Sequence, residues 1–424
     1  MALPLIGLVS RRIGLIGRCF LLVAMVVIGK HPTCGLSRQA PLKGYTKVLD
    51  DDGLCAASVT PFGYECHEFE VETKDGYILG VQRISGGGGG GGGGDGGQND
   101  NKQPVLIQHG LMVDGTTWFL NPPEQNLPLI LADNGFDVWV VNTRGTRFSN
   151  KHVSLDPNQP EYWDWSWDEL VAYDLPATFD FVSQHTGGQE IHYVGHSLGT
   201  LTALASFSEG QLADKVKSAA LLSPIAYLSH MTTVFGVMLA RSFVGEMTAL
   251  LGVAEFNLEN ALVARFVRGF CSIPGVDCYD YLSVITGPNC CLDPLTVSRF
   301  LQNEPQPTSV KNMIHLAQTV RYGILSKFNY LRADYNLHYY GQSTPPIYNL
   351  SNIPNDLPLF LSYGGRDALS DVQDVGTLLD YLKYHDKDKI AVQFIEEYAH
   401  ADFIMATNAK DMVYSAMIKF FNRQ

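Results

Sequence analysis

Basic residues are few for a chain of this length. Lys and Arg number 30 against 43 Asp and Glu, a formal net charge of −13 over 424 residues. A surface of that sign repels phosphate backbones, which excludes general nucleic-acid binding. Metal-ligand spacings are missing as well. Neither a CxxC pair nor HExxH occurs, so no metal site and no cofactor is expected. Acids are absent from the first 49 residues, where Arg11, Arg12 and Arg18 precede an apolar run from Cys19 to Ile28. Small residues, Thr33 and Gly35, follow that run. The order basic, apolar, small reads as a secretory signal peptide over residues 1–35, with an uncleaved anchor or an organelle transit peptide as the alternatives. The run falls short of the ~20 apolar residues that a transmembrane helix needs.

Cysteine is scarce and unevenly spread. Of 8 in the chain, Cys271, Cys278, Cys290 and Cys291 fall within 21 residues. In a secreted chain such a cluster holds disulfides rather than a metal, and one bridge is expected among these four. Asn349-Leu350-Ser351 supplies a glycosylation acceptor that the same route would use. Glycine is the opposite case. Gly86–Gly94 is an unbroken tract that carries no side chain to pack, so residues 85–103 are expected to form a flexible surface loop. No Lys-Ser/Thr pair opens a helix after it, which excludes a phosphate-cradling loop.

Around that loop the chain alternates. Residues 67–84 have the pattern of a hairpin turning at Asp75-Gly76. Short apolar runs follow at Val105–Ile107, Phe136–Val141, Ile191–Val194, Ala219–Leu222, Leu357–Tyr363 and Ile390–Ile395. Continuous apolar strands between helical stretches are those of a mostly parallel sheet covered on both faces, an α/β fold. Trp167–Val182 has helical spacing with Leu170, Ala177 and Phe181 on one face, acids Asp168 and Glu169 in the first turn, and a kink expected at Pro176. From 227 to 335 the alternation stops. That length suits an inserted helical cap, dividing the core into 36–226 and 336–424. Its start, Met231–Leu251, is apolar, and reads either as the cap's own core or as a lipid-facing lid.

Gly195-His196-Ser197-Leu198-Gly199 fits GxSxG between a strand-like IHYV and a helix-like TLTALASF. In that context the serine sits on a tight turn with its hydroxyl exposed at a strand end. A hydroxyl needs a base to become a nucleophile. The acid and base of such a site follow the serine in chain order. Asp367, after LPLFL, and His400, after IAVQFI, occupy strand ends in that order. Asp371 and Asp374 belong to the helix that follows Asp367. An oxyanion hole is expected from the backbone N–H of Leu198 and of Leu111, the latter after VLIQ-His109-Gly110. His109 precedes the serine and takes a structural role.

These stretches are long and ordered. LIQHGLMVDGTTW, VWVVNTRGTRFSNKH, WDWSWDELVAYDLPATFDFV, YVGHSLGT, YGQSTPPIYNLSNIP, LSYGGRDALSD and YAHADFI together resemble the acid lipase family of gastric, lysosomal and plant triacylglycerol lipases, from about Ala57 onward. PNCCLDPLTVSRFLQNEPQPTSVKNMIHLAQTVR is most similar to the plant-type members. The resemblance implies an α/β-hydrolase, secreted or held in a lytic compartment such as the lysosome or vacuole. It implies cleavage of triacylglycerol or sterol esters, with transient contact to a lipid droplet or membrane surface and no nucleic-acid partner. It implies Ser197 as nucleophile, Asp367 as acid, His400 as base and Leu111 as the early-loop donor. An acyltransferase using the same acyl-enzyme is one rival, which added alcohol in the assay separates. A non-catalytic lipid-binding member is another, which a serine-reactive probe separates.

Overall fold

The computed structural model describes residues 53–86, 102–257 and 278–424. The expected signal segment 1–35, the glycine tract beyond Gly86 and Cys271 lie outside the described residues. Eleven strands occur among them: β1 (Glu65–Glu72), β2 (Tyr77–Ser85), β3 (Pro104–Gln108), β4 (Asp137–Val141), β5 (Lys151–His152), β6 (Ile191–His196), β7 (Val216–Leu222), β8 (Glu255–Phe256), β9 (Thr308–Ser309), β10 (Leu359–Gly364) and β11 (Ile390–Ile395). Nine form one sheet in the order β1-β2-β4-β3-β6-β7-β10-β11, with β5 beside β2. The expected hairpin is there: β1 and β2 pair antiparallel, and β2 meets β4 antiparallel. From β4 onward every pairing is parallel. β8 and β9 make a separate two-stranded sheet.

The apolar runs become strands because helices cover both sheet faces. Every residue of β3, β4 and β6 is buried. One core packs around Trp139, Phe179, Tyr193 and Leu201, and the other around Val140, Phe403, Tyr414 and Phe420. β11 departs from that expectation. As the edge strand it leaves Val392 and Phe394 exposed. A parallel sheet therefore ends on a half-covered strand.

The helical stretch begins as expected, with Ser166 and Glu169 in a capping box. Its face then differs. Leu170 is buried, but Ala177 and Phe181 are only half-buried, while Leu175, Phe179 and Val182 enter the core. The reason is a π-turn over Leu170–Asp174. Pro176 has no N–H to return to Ala172, and the wider turn inserts one residue. One residue is about 100° of helix, which moves the buried face from 177 and 181 to 178 and 182.

The π-turn also aims Asp174 at Arg144. This guanidinium is fully buried; its Nη1 donates to Asp75 Oδ2 at 2.6 Å, its Nη2 to Asp174 Oδ1 at 2.5 Å, and it lies 3.8 Å from the Tyr77 ring centroid. Hairpin turn, post-β4 loop and helix thus meet on one cation. Arg144→Met leaves two carboxylates without their counter-charge, and we expect it to cost about 3–5 kcal/mol. Urea unfolding measures this, and a loss under about 1 kcal/mol would show the cluster to be ornamental.

Between β7 and β10 the described chain is mainly helical: Val234–Arg241, Val244–Leu250, Cys278–Thr286, Pro294–Asn303, Val310–Tyr322 and Ala333–Tyr340. Phe243, Met247, Leu250, Leu251 and Val253 are exposed here. Two disulfides are present among the described residues. Cys290 bonds its neighbour Cys291, inside the expected cluster. Cys55 bonds Cys66 and ties the helix Gly53–Ser58 to β1, a pairing that the cysteine spacing did not single out.

Candidate active site

β6 delivers Ser197 to the end of the sheet. Its backbone takes φ 55° and ψ −117°, a left-handed strained turn, before the helix Leu198–Ser208 begins. The turn closes only because its flanks lack side chains. A Cβ on Gly195 would lie 2.9 Å from the Gly199 carbonyl, and one on Gly199 would lie 2.7 Å from Gln108 O. The loop after β3 reaches the same place, since a Cβ on Gly110 would stand 3.0 Å from Ser197 Cβ.

Asp367 and His400 follow the ends of β10 and β11 and meet there. His400 Nδ1 lies 3.0 and 2.9 Å from the two Asp367 oxygens. An ionised carboxylate only accepts, so Nδ1 carries the hydrogen and Nε2 keeps its lone pair. Asp367 also accepts from the backbone of Leu369 at 2.9 Å, from that of Ser370 at 2.8 Å, and from the Ser223 hydroxyl. Burial alone would raise its pKa; His400 first, then Ser223 and the Leu369 N–H, reverse that and hold the carboxyl below its ordinary value. Among the described residues no hydrogen bond joins the Ser197 hydroxyl to His400. Such contacts commonly tighten only when substrate binds.

The two remaining histidines near the serine are structural in their bonding. His109 Nε2 accepts from Thr143 N at 3.1 Å, so its Nδ1 donates to Gly110 O at 2.8 Å. Burial lowers its pKa and keeps it neutral. His196 Nε2 donates to His400 O at 3.0 Å, and burial pushes its pKa down to about 3. The residue before Ser197 therefore holds the backbone of His400. Among the described residues no protein acceptor meets the backbone N–H of Leu111 or Leu198.

A third segment reaches the loops of both Asp367 and His400. Thr286 O accepts from His400 N at 3.1 Å and from Ala368 N at 3.2 Å. A Cβ on Gly287, whose φ is 94°, would lie 2.1 Å from Arg366 O, so only glycine allows this approach. Asp402, two residues after His400, accepts from the backbones of Cys290 at 3.1 Å and Cys291 at 3.2 Å. Burial raises its pKa. Cys290, Cys291 and Asp402 stand close enough together to suggest a metal site, but the sulfurs are bonded to each other and offer no thiolate. Ser223 and Thr286 carry no motif; His196 lies within GxSxG and Asp402 within YAHADFI, but neither pattern singles them out.

The chain is similar to known proteins. The family model described as α/β hydrolase fold matches residues 103–404, and that of a partial α/β-hydrolase lipase region matches 55–122. Triacylglycerol lipase 2 of Arabidopsis thaliana is 60% identical over 372 residues, 88% of each chain. Gastric triacylglycerol lipase of Rattus norvegicus is 38% identical over 372 residues, covering 85% of this chain and 89% of that one. A solved structure from Sulfolobus solfataricus aligns with a TM-score of 0.52 at 15% identity, over 85% of this chain and 94% of that one. At that identity it speaks for the fold alone.

Proposed function

The chain belongs to the acid lipase family of α/β-hydrolases, and on that premise we propose that it hydrolyses triacylglycerols or sterol esters with Ser197, Asp367 and His400 as its triad. The observation that carries the reading is the buried Asp367–His400 pair at the strand ends, beside a serine on a strained turn. His400 Nε2 takes the Ser197 proton as the oxygen attacks the ester carbonyl. The tetrahedral oxyanion is held by the N–H groups of Leu111 and Leu198, each worth about 3 kcal/mol. The alcohol leaves with the proton from His400, and water then frees the acid by the same route. Asp367 orients the imidazole and stabilises its charged form.

Residues 227–335 act in this reading as a cap over the site. The exposed apolar side chains from Phe243 to Val253 supply its contact with a lipid surface. The segment 1–35 directs the chain into the secretory pathway, and to the extracellular space or a lytic compartment beyond. Hydrolysis of an emulsified long-chain triacylglycerol, set against a soluble short-chain ester, tests the substrate class. We expect the emulsion to be cleaved and its product to be free fatty acid. Activity confined to the soluble ester would make the protein a simple esterase.

A further inference from the structure

Glu304 is a buried acid outside the triad, with no role in the steps above. It follows the helix Pro294–Asn303, and its side chain faces the loop that carries Leu111. Its Oε1 accepts from Asp114 N at 3.3 Å, while Oε2 is buried with no hydrogen-bond partner among the described residues. Two residues on, Gln306 N donates to Met112 O at 2.8 Å. These two bonds bracket Met112 to Asp114, directly after Leu111. Met112 needs such support, because its φ of 58° is one that side chains rarely adopt.

The charges around Glu304 decide which form it takes. From the loop after β3 it faces Asp114, and from the loop after β4 it faces Arg147. Arg147 is committed to Asp114, with Nη2 at 2.8 Å and Nε at 3.1 Å from its Oδ2. On its own segment the neighbour is Gln306, whose Oε1 accepts from Arg147 N at 3.1 Å. His109 is also near Asp114 and is neutral. One cation therefore serves one carboxylate, and among the described residues a second negative charge has no further counter-ion. A buried, uncompensated carboxylate is costly, whereas a neutral carboxyl can keep the Asp114 N–H satisfied.

We propose that Glu304, as a neutral carboxyl, is a positioning residue that docks the 303–309 segment on the loop after β3 and so holds the Leu111 N–H in place for the oxyanion. Burial first, and Asp114 second, raise its pKa well above the ordinary carboxyl value, which agrees with the geometry. The sign follows. A carboxyl with a raised folded-state pKa lends its full stability below the ordinary value and loses it as pH rises through the raised one. Ionisation then loosens the loop, so hydrolysis declines on the alkaline side.

This rests on Leu111 as an oxyanion donor. The test uses the full chain and a soluble short-chain ester, so that surface binding does not limit the rate. Glu304→Ala is expected to lower kcat about 10-fold at acid pH, with KM little changed, as for a displaced oxyanion donor. Glu304→Gln, neutral at every pH, is expected to rescue most of that kcat and to hold it at pH values where the wild type has declined. The urea midpoint followed against pH needs no catalysis: it should fall with rising pH in the wild type and fall less in Glu304→Gln. If Glu304→Ala does not fold, the Glu304→Gln profiles decide. Rate and stability profiles of Glu304→Gln parallel to wild type overturn the proposal. A changed stability profile with an unchanged rate profile also overturns it, since Glu304 would then support the fold but not the donor. Failure of the triad itself would show separately, as activity surviving in Ser197→Ala.

Discussion

Ser197→Ala is expected to lower hydrolysis of an emulsified long-chain ester by about 10⁶-fold, the scale seen when a triad serine is removed. Two features make the loss chemical rather than structural. The hydroxyl forms no hydrogen bond to His400, and the turn is fixed by backbone: Ser197 N donates to Leu222 O at 3.3 Å, and Ser197 O accepts from Thr200 N at 2.9 Å. Alanine keeps both bonds, so circular dichroism and the unfolding midpoint should stay at wild-type values. His400→Ala is expected to cost about as much, because nucleophile and base act as one unit. Near-wild-type turnover in Ser197→Ala would sink the hydrolase mechanism as drawn.

Asp367→Asn is expected to cost about 10⁴-fold, since an amide in that place favours the wrong imidazole tautomer. The amide can still accept from Leu369 and Ser370, but it no longer offers two anionic oxygens to His400 Nδ1. Asp371 is the matched control. It caps the helix Val372–Tyr381 by accepting from Gln373 N at 2.8 Å, and asparagine caps equally well. Asp371→Asn should therefore retain full activity. Asp374, seven residues after the acid, is no such control. It is buried, and it binds Ser229 Oγ at 2.9 Å and His230 N at 2.9 Å, where the helical insertion departs from the core. A loss in Asp371→Asn without one in Asp367→Asn would move the acid by four residues.

What could be read from the residues follows from the range of the interaction. Strand identity is local: VLIQ and IHYV are mainly apolar, and they form β3 and β6 within the fully covered part of the sheet. The turn at Ser197 is local too, since GxSxG names the two positions that must lack a side chain. Helix phase over 167–185 was misjudged because a π-turn has no composition signal beyond Pro176. The charge clusters were invisible for a different reason. Arg144 meets Asp75 and Asp174 across 69 and 30 residues of sequence, and Glu304 meets Asp114 across 190. No periodicity links such pairs. The Cys55–Cys66 bridge, 11 residues apart, was overshadowed by the denser cluster near the insertion.

The bonds from Thr286 to His400 and Ala368 bear on how this architecture can be recombined. Covalently, residues 278–309 belong to the insertion; mechanically, they are part of the frame around the base and acid. The line along which one relative's helical insertion can be exchanged for another's is therefore not the pair of positions where the chain leaves and rejoins the sheet. A graft cut at those positions replaces the carbonyl that holds His400 and the glycine that admits Arg366 along with the rest of the insertion. A graft that spares 282–292 and 303–309 exchanges the helices with exposed apolar side chains and leaves the frame around His400 and Asp367 intact. Modularity in this fold is a matter of hydrogen-bond connectivity, and its seam runs through the middle of what the chain order presents as one piece.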